Sequence, residues 1–401
     1  MSILVLNCGS SSVKYQLIEM STEKYLAKGL VERLGEEDAK VKHKCRDGRR
    51  FEEVKDIKNH SQAIKEVVRI LLSSEYGVIK DVSDIKAVGH RVVHGCEKFS
   101  ESTLVTPEVM KVLHDCKKLA PLHNPHNIHG IEASEKLFKG VIQVAVFDTA
   151  FHQTIPEHAY LYALPMEYYK KYFIRRYGFH GTSHYYVAHR AAELLGKPIE
   201  SLKIITAHLG NGCSIAAIDG GKSVDTSMGF TPLEGLVMGT RCGDIDPFIP
   251  IFLMENYDVD YRDMDDILNK ESGLLGLSGI SNDSREIEEK MISGSKEAKR
   301  AFDVTAYRLK KYIASYIGVL CGLDALVFTA GIGENSDLTR AAACENLECL
   351  GIKLDSEKNK ETVRGKEGFI NADDSKVKVI VIPTNEELVI ARDTLRIYKS
   401  M

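Results

Sequence analysis

The sequence predicts an α/β protein built from two lobes of the same topology that face a cleft. Three observations carry this. The chain has 401 residues, enough for two domains of roughly 150–200 residues each. An apolar run that breaks at a small-residue turn and then resumes occurs near residue 3 and again near residue 203. Behind each of these hairpins, helical and strand-like patterns alternate, the signature of parallel strands joined by helices.

The first hairpin opens with Ile3-Leu4-Val5-Leu6, turns through Asn7-Cys8-Gly9-Ser10-Ser11-Ser12 and resumes at Val13-Lys14-Tyr15-Gln16-Leu17-Ile18. Small residues let backbone N–H groups approach an anion closely. The hydroxyls of Ser10, Ser11 and Ser12 add donors, Lys14 adds charge, and the Asn7 amide could reach a metal or its water. Two readings stay open at this point, a phosphate grip and an ordinary serine-rich turn. Leu26 to Leu34 reads as a third strand. Residues 35–60 are dense in charge and carry the turn signal Asp47-Gly48, which fits a solvated hairpin and loop. Ile64, Val67, Val68, Leu71 and Leu72 recur at helical spacing. Ile85 to Val93 is a buried strand and Asn127 to Leu137 a helix. Val141 to Phe147 is a further strand that ends at Asp148, the end of a strand where ligands bind in open α/β sheets.

The second half repeats the order. Lys203 to His208 is a strand, Leu209-Gly210-Asn211-Gly212-Cys213-Ser214 a turn, and Ile215 to Ile218 the returning strand. A long helix near 297–321, the strand Ala325 to Thr329, the strand Lys378 to Ile382 and a final helix follow. Gly220-Gly221-Lys222-Ser223 ends like a P-loop but has Ala216 where the first glycine belongs, so it reads as a hairpin turn. Gly331-Ile332-Gly333 lacks a third glycine, since position 336 is Ser336, yet it suits a strand-to-helix turn with Ser336 capping a helix from Asp337.

Composition excludes several classes. The net charge of −4, with no aromatic-rich basic stretch, argues against a nucleic-acid surface. No apolar run approaches the ~18 residues of a membrane span. The chain opens on a strand without a signal-peptide pattern. Nine scattered cysteines without a Cys-x-x-Cys pair read as reduced thiols, and a cytoplasmic location is expected.

Individual residues then stand out. His123, His126 and His129 are spaced three apart, but Pro125 is expected to break the helix that would align them on a metal. One of them facing developing negative charge is the better use. Arg91 lies inside an apolar strand and needs an anion, from protein or from substrate. Arg241, in Gly239-Thr240-Arg241-Cys242-Gly243, suits a clamp on a ligand anion. Thr384 and Glu387 have capping-box spacing, which would leave Glu386 free for the cleft. Asp148 and Glu386 could supply carboxylates to Mg²⁺ or orient its waters.

With these residues in place the chain resembles the acetate kinase family along nearly its whole length. The resemblance rests on Asn7–Lys14, His90–Gly95, Pro121–Pro125, Phe147–His152, Tyr177–His184, His208–Gly212, Gly239–Asp246, Gly331–Asn335 and Pro383–Glu387. It implies two ribonuclease-H-like lobes with the active site in the interlobe cleft. The first lobe would be 1–150 plus 385–401, on the acyl and magnesium side, and the second 151–384, on the nucleotide side and forming a homodimer. It also implies a cytoplasmic, ATP-dependent enzyme that makes acetyl phosphate from acetate, in acetyl-CoA biosynthesis, with Mg²⁺ (Mn²⁺ as a substitute) and neither nucleic acid nor membrane as partner.

By the same resemblance Asn7 and Glu386 would serve Mg²⁺, and Lys14, with Ser10 and Ser12, a nucleotide phosphate. Arg91 would hold the acyl substrate, Asp148 would be the catalytic carboxylate, and His180 and Arg241 would stabilise the transition state. His123 would line the phosphoryl path. The nucleotide would be held by His208, Leu209, Gly210, Asn211 and Gly212, by Asp283, Ser284 and Arg285, and by Gly331, Ile332, Gly333, Glu334 and Asn335. No role falls to the Ser284 or His126 side chains. Val93, Leu122, Phe179 and Pro232 would form the acyl pocket, and Val93 points to acetate, since propionate-preferring relatives carry a smaller residue there. Propionate or another short acid is the alternative substrate. A carboxylic acid of pKa roughly 4 is already ionised at neutral pH. Asp148 is therefore expected to organise Mg²⁺ more than to remove a proton.

Overall fold

The computed structural model describes residues 1–118, 120 and 123–401. The chain forms two compact units, one of Met1–Phe151 with Asn385–Met401 and the other of His152–Thr384.

The first unit is built on an eight-stranded sheet. Its strands are β1 (Ser2–Cys8), β2 (Ser12–Glu19), β3 (Lys24–Glu32), β4 (Ala39–Cys45), β5 (Arg50–Lys55), β6 (Ile85–Val92), β7 (Thr103–Leu104) and β8 (Ile142–Phe147), in the order β5-β4-β3-β2-β1-β6-β8-β7. The hairpin and the charged hairpin behind it (β4 and β5) are antiparallel, whereas β1, β6 and β8 run parallel. β1 is apolar on both faces because it is covered on both. Leu4 and Leu6 pack with Ile64, Val67 and Leu71 of the helix His60–Leu71. Ile3 and Val5 pack with Ile390 and Ala391 of the helix Glu386–Ser400.

The second unit repeats this plan with β9 (Lys203–Leu209), β10 (Cys213–Asp219), β11 (Lys222–Thr226), β12 (Ala325–Thr329), β13 (Gly368–Phe369) and β14 (Lys378–Val381). Their order is β11-β10-β9-β12-β14-β13. Antiparallel β11-β10-β9 matches β3-β2-β1, parallel β9-β12-β14 matches β1-β6-β8, and each sheet ends on a two-residue antiparallel edge strand. Gly220 and Gly221, at φ 57° and 80°, make the β10–β11 turn, as their spacing suggested.

Four local expectations change. Pro125 does not break a helix: it occupies the first turn of the helix Asn124–Leu137, where its missing N–H has no intrahelical acceptor to lose. His126 and His129 are therefore helical, with His123 just ahead of them. The last helix is capped by Asn385, whose side chain accepts from the Leu388 N–H, so Thr384 and Glu387 form no capping box. The Gly331–Gly333 segment is a helix, Ala330–Asn335, rather than an open turn, while Ser336 caps the next helix as its spacing indicated. Finally, Cys96 and Cys116 form a disulfide in place of two reduced thiols. The chain brings their Cα atoms to 6.2 Å, within the range a disulfide spans. Among the described residues no helix is long and apolar enough to cross a membrane.

Candidate active site

In the first unit the candidate residues gather where β1, β6 and β8 end. Asn7 and Lys14 are register partners across the first hairpin. Its turn is closed by the Gly9 N–H donating to Ser12 O (2.9 Å), and His60 Nε2 donates to Gly9 O (2.7 Å). Parallel strands carry no hydrogen bonds beyond their last residues, and a side chain fills that gap here. Asn127 donates to Cys8 O (2.8 Å) and accepts from the Val93 N–H (3.0 Å), tying the end of β1 to the residue after β6. Asn124 holds His94 in the same manner, through its backbone O (2.9 Å) and N–H (3.2 Å). Both asparagines are buried on the helix that begins beside His123. Their role was missed in the sequence, where the interleaved His123, His126 and His129 stand out instead.

Arg91 finds its anion in Asp148. Nε donates to Oδ1 at 2.9 Å and Nη2 to Oδ2 at 2.7 Å, a bidentate pair with Asp148 only 2% exposed. Burial opposes the charge on Arg91, but Asp148 and Glu386 outweigh it and raise its pKa. Glu386 is half-buried, and its Oε1 is a buried oxygen with no hydrogen-bond partner. Burial raises its pKa, against the pull of Arg91 and with a push from Asp148. Glu387 beside it is shifted upward by burial as well. A buried carboxylate oxygen without a donor is costly unless a cation takes it. That chemistry suits a hard divalent ion, which binds oxygen ligands.

The second unit places a cation against a glycine hairpin. A Cβ on Gly212 would sit 3.4 Å from Arg241 Nη1 and 3.6 Å from His180 Cε1, so both side chains converge on that turn. Arg241 donates to Pro232 O (3.3 Å), and no carboxylate forms an ion pair with it among the described residues. Burial lowers its pKa. His180 stacks on His208, with ring centroids 4.1 Å apart. It sits at φ 57° as the residue ahead of the helix Gly181–Leu195, a left-handed conformation costing about 1–3 kcal/mol that tends to cluster at functional sites.

Behind His180 runs a chain of hydroxyls and rings. His180 Nδ1 meets Ser214 Oγ at 2.9 Å, Ser214 Oγ meets His184 Nε2 at 2.7 Å, and His184 Nδ1 meets Thr206 Oγ1 at 2.7 Å. His184 is fully buried, and burial holds its pKa well below 6.5, so the ring is neutral. Two orientations satisfy all three contacts. With Thr206 donating to His184, His184 to Ser214 and Ser214 to His180 Nδ1, His180 carries its proton on Nε2; with the relay reversed, His180 Nδ1 donates to Ser214. His208 is held separately, by Ser183 Oγ at 2.8 Å.

A cavity of about 770 Å³ in the second unit is lined by Gly210, Asn211, Asp283, Ser284, Arg285, Gly331, Ile332 and Asn335. Asn282, Glu288, Ser336 and Arg364, which sequence reasoning missed, line it too. Arg285 pairs with Asp283 (Nε to Oδ1, 3.0 Å). Next to Ile332 in the chain, Gly333 O accepts from the buried Arg340, and Glu334 accepts from the Thr384 N–H. Leu209 and Ile332 line a small apolar cavity. Phe179 is buried, its carbonyl accepting from His152 Nε2. Leu122 and Pro121 lie outside the described residues.

The model of the acetokinase family matches residues 2–392. An acetate kinase of Thermotoga maritima is 58% identical over 402 residues, covering all of both chains. One of Halothermothrix orenii is 58% identical over 400 residues, again covering both. Among solved structures, Porphyromonas gingivalis acetate kinase matches with a TM-score of 0.94 at 50% identity, covering 99% of each chain. A propionate kinase of Francisella tularensis matches with a TM-score of 0.92 at 43% identity, covering 98% of this chain and 99% of the other. On these matches, and on its two α/β units, the chain belongs to the acetokinase family.

Proposed function

We propose that the chain catalyses ATP + acetate ⇌ ADP + acetyl phosphate by direct in-line transfer. One observation carries this reading: Arg241 is a half-buried guanidinium that no carboxylate neutralises among the described residues, set against a glycine hairpin beside His180. Such a group is stabilised by a ligand anion. The full-length relatives at 58% identity are acetate kinases, which supports acetate as the acceptor.

Each unit contributes its own share. In the first, Arg91 binds the acyl carboxylate, and Lys14 a nucleotide phosphate. Acetate arrives ionised, so Asp148 need not take its proton. Its two oxygens are engaged in orienting Arg91. Asn7 and Glu386 would hold Mg²⁺, which when bound neutralises phosphate charge. In the second unit, Arg241 and the His180 Nε2–H stabilise charge on the transferring phosphoryl, with the hydroxyl chain running in the direction in which Ser214 donates to His180 Nδ1. The cavity lined by Asp283, Gly331 and Asn335 takes the nucleotide, and His123 is assigned to the phosphoryl path. The enzyme is proposed to be cytoplasmic. We also infer that two copies pair through the second unit. Its helix Phe248–Asn256 exposes Phe248, Ile249, Ile251 and Phe252, each more than 40% accessible, an apolar patch of the kind that marks interfaces.

Five outcomes are expected. Protein given ATP, Mg²⁺ and acetate forms acetyl phosphate, trapped as the hydroxamate, and faster than with propionate. Arg241→Ala lowers kcat by ~10²–10³ with an unchanged circular dichroism spectrum, and a loss below about threefold refutes its role. Glu386→Gln raises the melting temperature of metal-free protein by relieving a buried oxygen, and abolishes the further rise that Mg²⁺ gives wild type; a persisting Mg²⁺ effect removes Glu386 from the metal site. Ser214→Ala lowers kcat ~10–100-fold and changes the shape of the pH–rate profile while both KM values hold, whereas an unaltered profile breaks the tautomer argument. Sedimentation velocity gives a dimer, and Phe252→Asp a monomer, if the apolar helix is the contact.

A further inference from the structure

Strand β4 reads Ala39-Lys40-Val41-Lys42-His43-Lys44-Cys45, with Ala39, Val41, His43 and Cys45 buried and the three lysines between them turned outward. Spacing alone makes this an ordinary solvated strand. The register adds more. Gln16 stands opposite Lys28, Lys28 opposite Lys44, and Lys44 opposite Arg50, so three cations form one row across β3, β4 and β5. The adjacent row is Lys14, Leu30, Lys42 and Glu52. Like charges directly opposite on neighbouring strands destabilise a sheet.

The neighbourhood does not lack acids. Arg33, Lys42, Arg49, Lys55, Lys58 and Arg69 each hold a carboxylate. Among the described residues Lys14, Lys28, Lys44 and Arg50 form no ion pair, and Lys28 has only the Tyr25 ring, 5.0 Å away. The surface is also concave: a cavity of about 460 Å³ on one unit is lined by Lys14, Lys28, Lys42, Lys44 and Arg50, five cations against the two carboxylates of Glu52 and Glu387. Strands lie ~4.8 Å apart, so the row spans ~10 Å. That length suits a chain of phosphates contacted by successive cations, and a single phosphate would leave part of the row unmatched.

We propose that this basin is a binding site for a small linear polyphosphate anion, outside the nucleotide cavity of the second unit and centred on Lys28, Lys44 and Arg50, with Lys14 at its edge shared with the proposed nucleotide phosphate contact. The free anion and the phosphate tail of a second nucleotide share that chemistry. The role given to Arg241 and the nucleotide cavity does not enter the argument.

The test is calorimetric titration of inorganic tripolyphosphate into metal-free, ADP-saturated protein at fixed ionic strength. One site is expected, weakened at least tenfold in Lys28→Gln/Lys44→Gln, a double variant that retains wild-type kcat. Tripolyphosphate should raise the melting temperature of wild type and leave that of the variant unmoved, and the free variant should melt above free wild type because the repulsion is gone. A second equivalent of ATP bound by wild type and lost in the variant assigns the site to a nucleotide tail; a single equivalent assigns it to the free anion. Absence of binding overturns the proposal, as does equal weakening in Lys222→Gln/Lys360→Gln, which removes the same charge elsewhere.

Discussion

A buried guanidinium has to be matched by negative charge or by a dense set of acceptors, and this protein meets that demand in three ways. Arg91 is matched inside the protein by Asp148. Arg340, wholly buried, is matched by carbonyls of Gly333, Asn359 and Thr362 and the Asn359 side chain, and burial lowers its pKa to about 10. Arg241 has a single backbone carbonyl at 3.3 Å and a thioether. Stability alone would favour the first two arrangements. The third leaves charge unspent, and every other feature of the second unit's site can be understood as holding that charge in place.

Precision around these charges comes from uncharged groups. Asn124 and Asn127 fasten the strand ends of the first unit. Ser214, His184 and Thr206 do the same for His180. Neutral hydrogen-bonding groups orient without adding a competing field, and in a dry interior they are well ordered because each bond lost is costly. A lysine or carboxylate in any of these positions would have altered the charge that the site presents.

The sequence revealed what is local. Hairpins, helical periods and the serine cap at 336 depend on residues within a few positions of one another, and these were found in place. The duplicated strand order followed from the repeated hairpin, because β1 and β9 occupy the same place in both sheets. What the sequence hid depends on partners far apart. Arg91 and Asp148 are 57 residues apart, Cys8 and Asn127 119, and no spacing rule joins either pair. Pro125 misled for a physical reason: proline breaks a helix interior but suits its first turn, and the helix start was placed three residues too late. The cap at Asn385 lost to a capping-box pattern one residue earlier, since both fit the same letters.

The helix Glu386–Ser400 belongs to the first unit, yet the ribosome makes it only after the whole of the second. Until then Ile3, Val5 and Val146 have no cover from Ile390 and Ala391. Gly89 shows how close that seat is: a methyl there would lie 2.4 Å from Thr394 Oγ1 and 2.7 Å from Ile390. A nascent chain must therefore carry an open, greasy sheet through most of translation, a state prone to aggregation. The same delay withholds Glu386 until the whole of the second unit has been made, so no chain that lacks that unit can assemble its acidic centre.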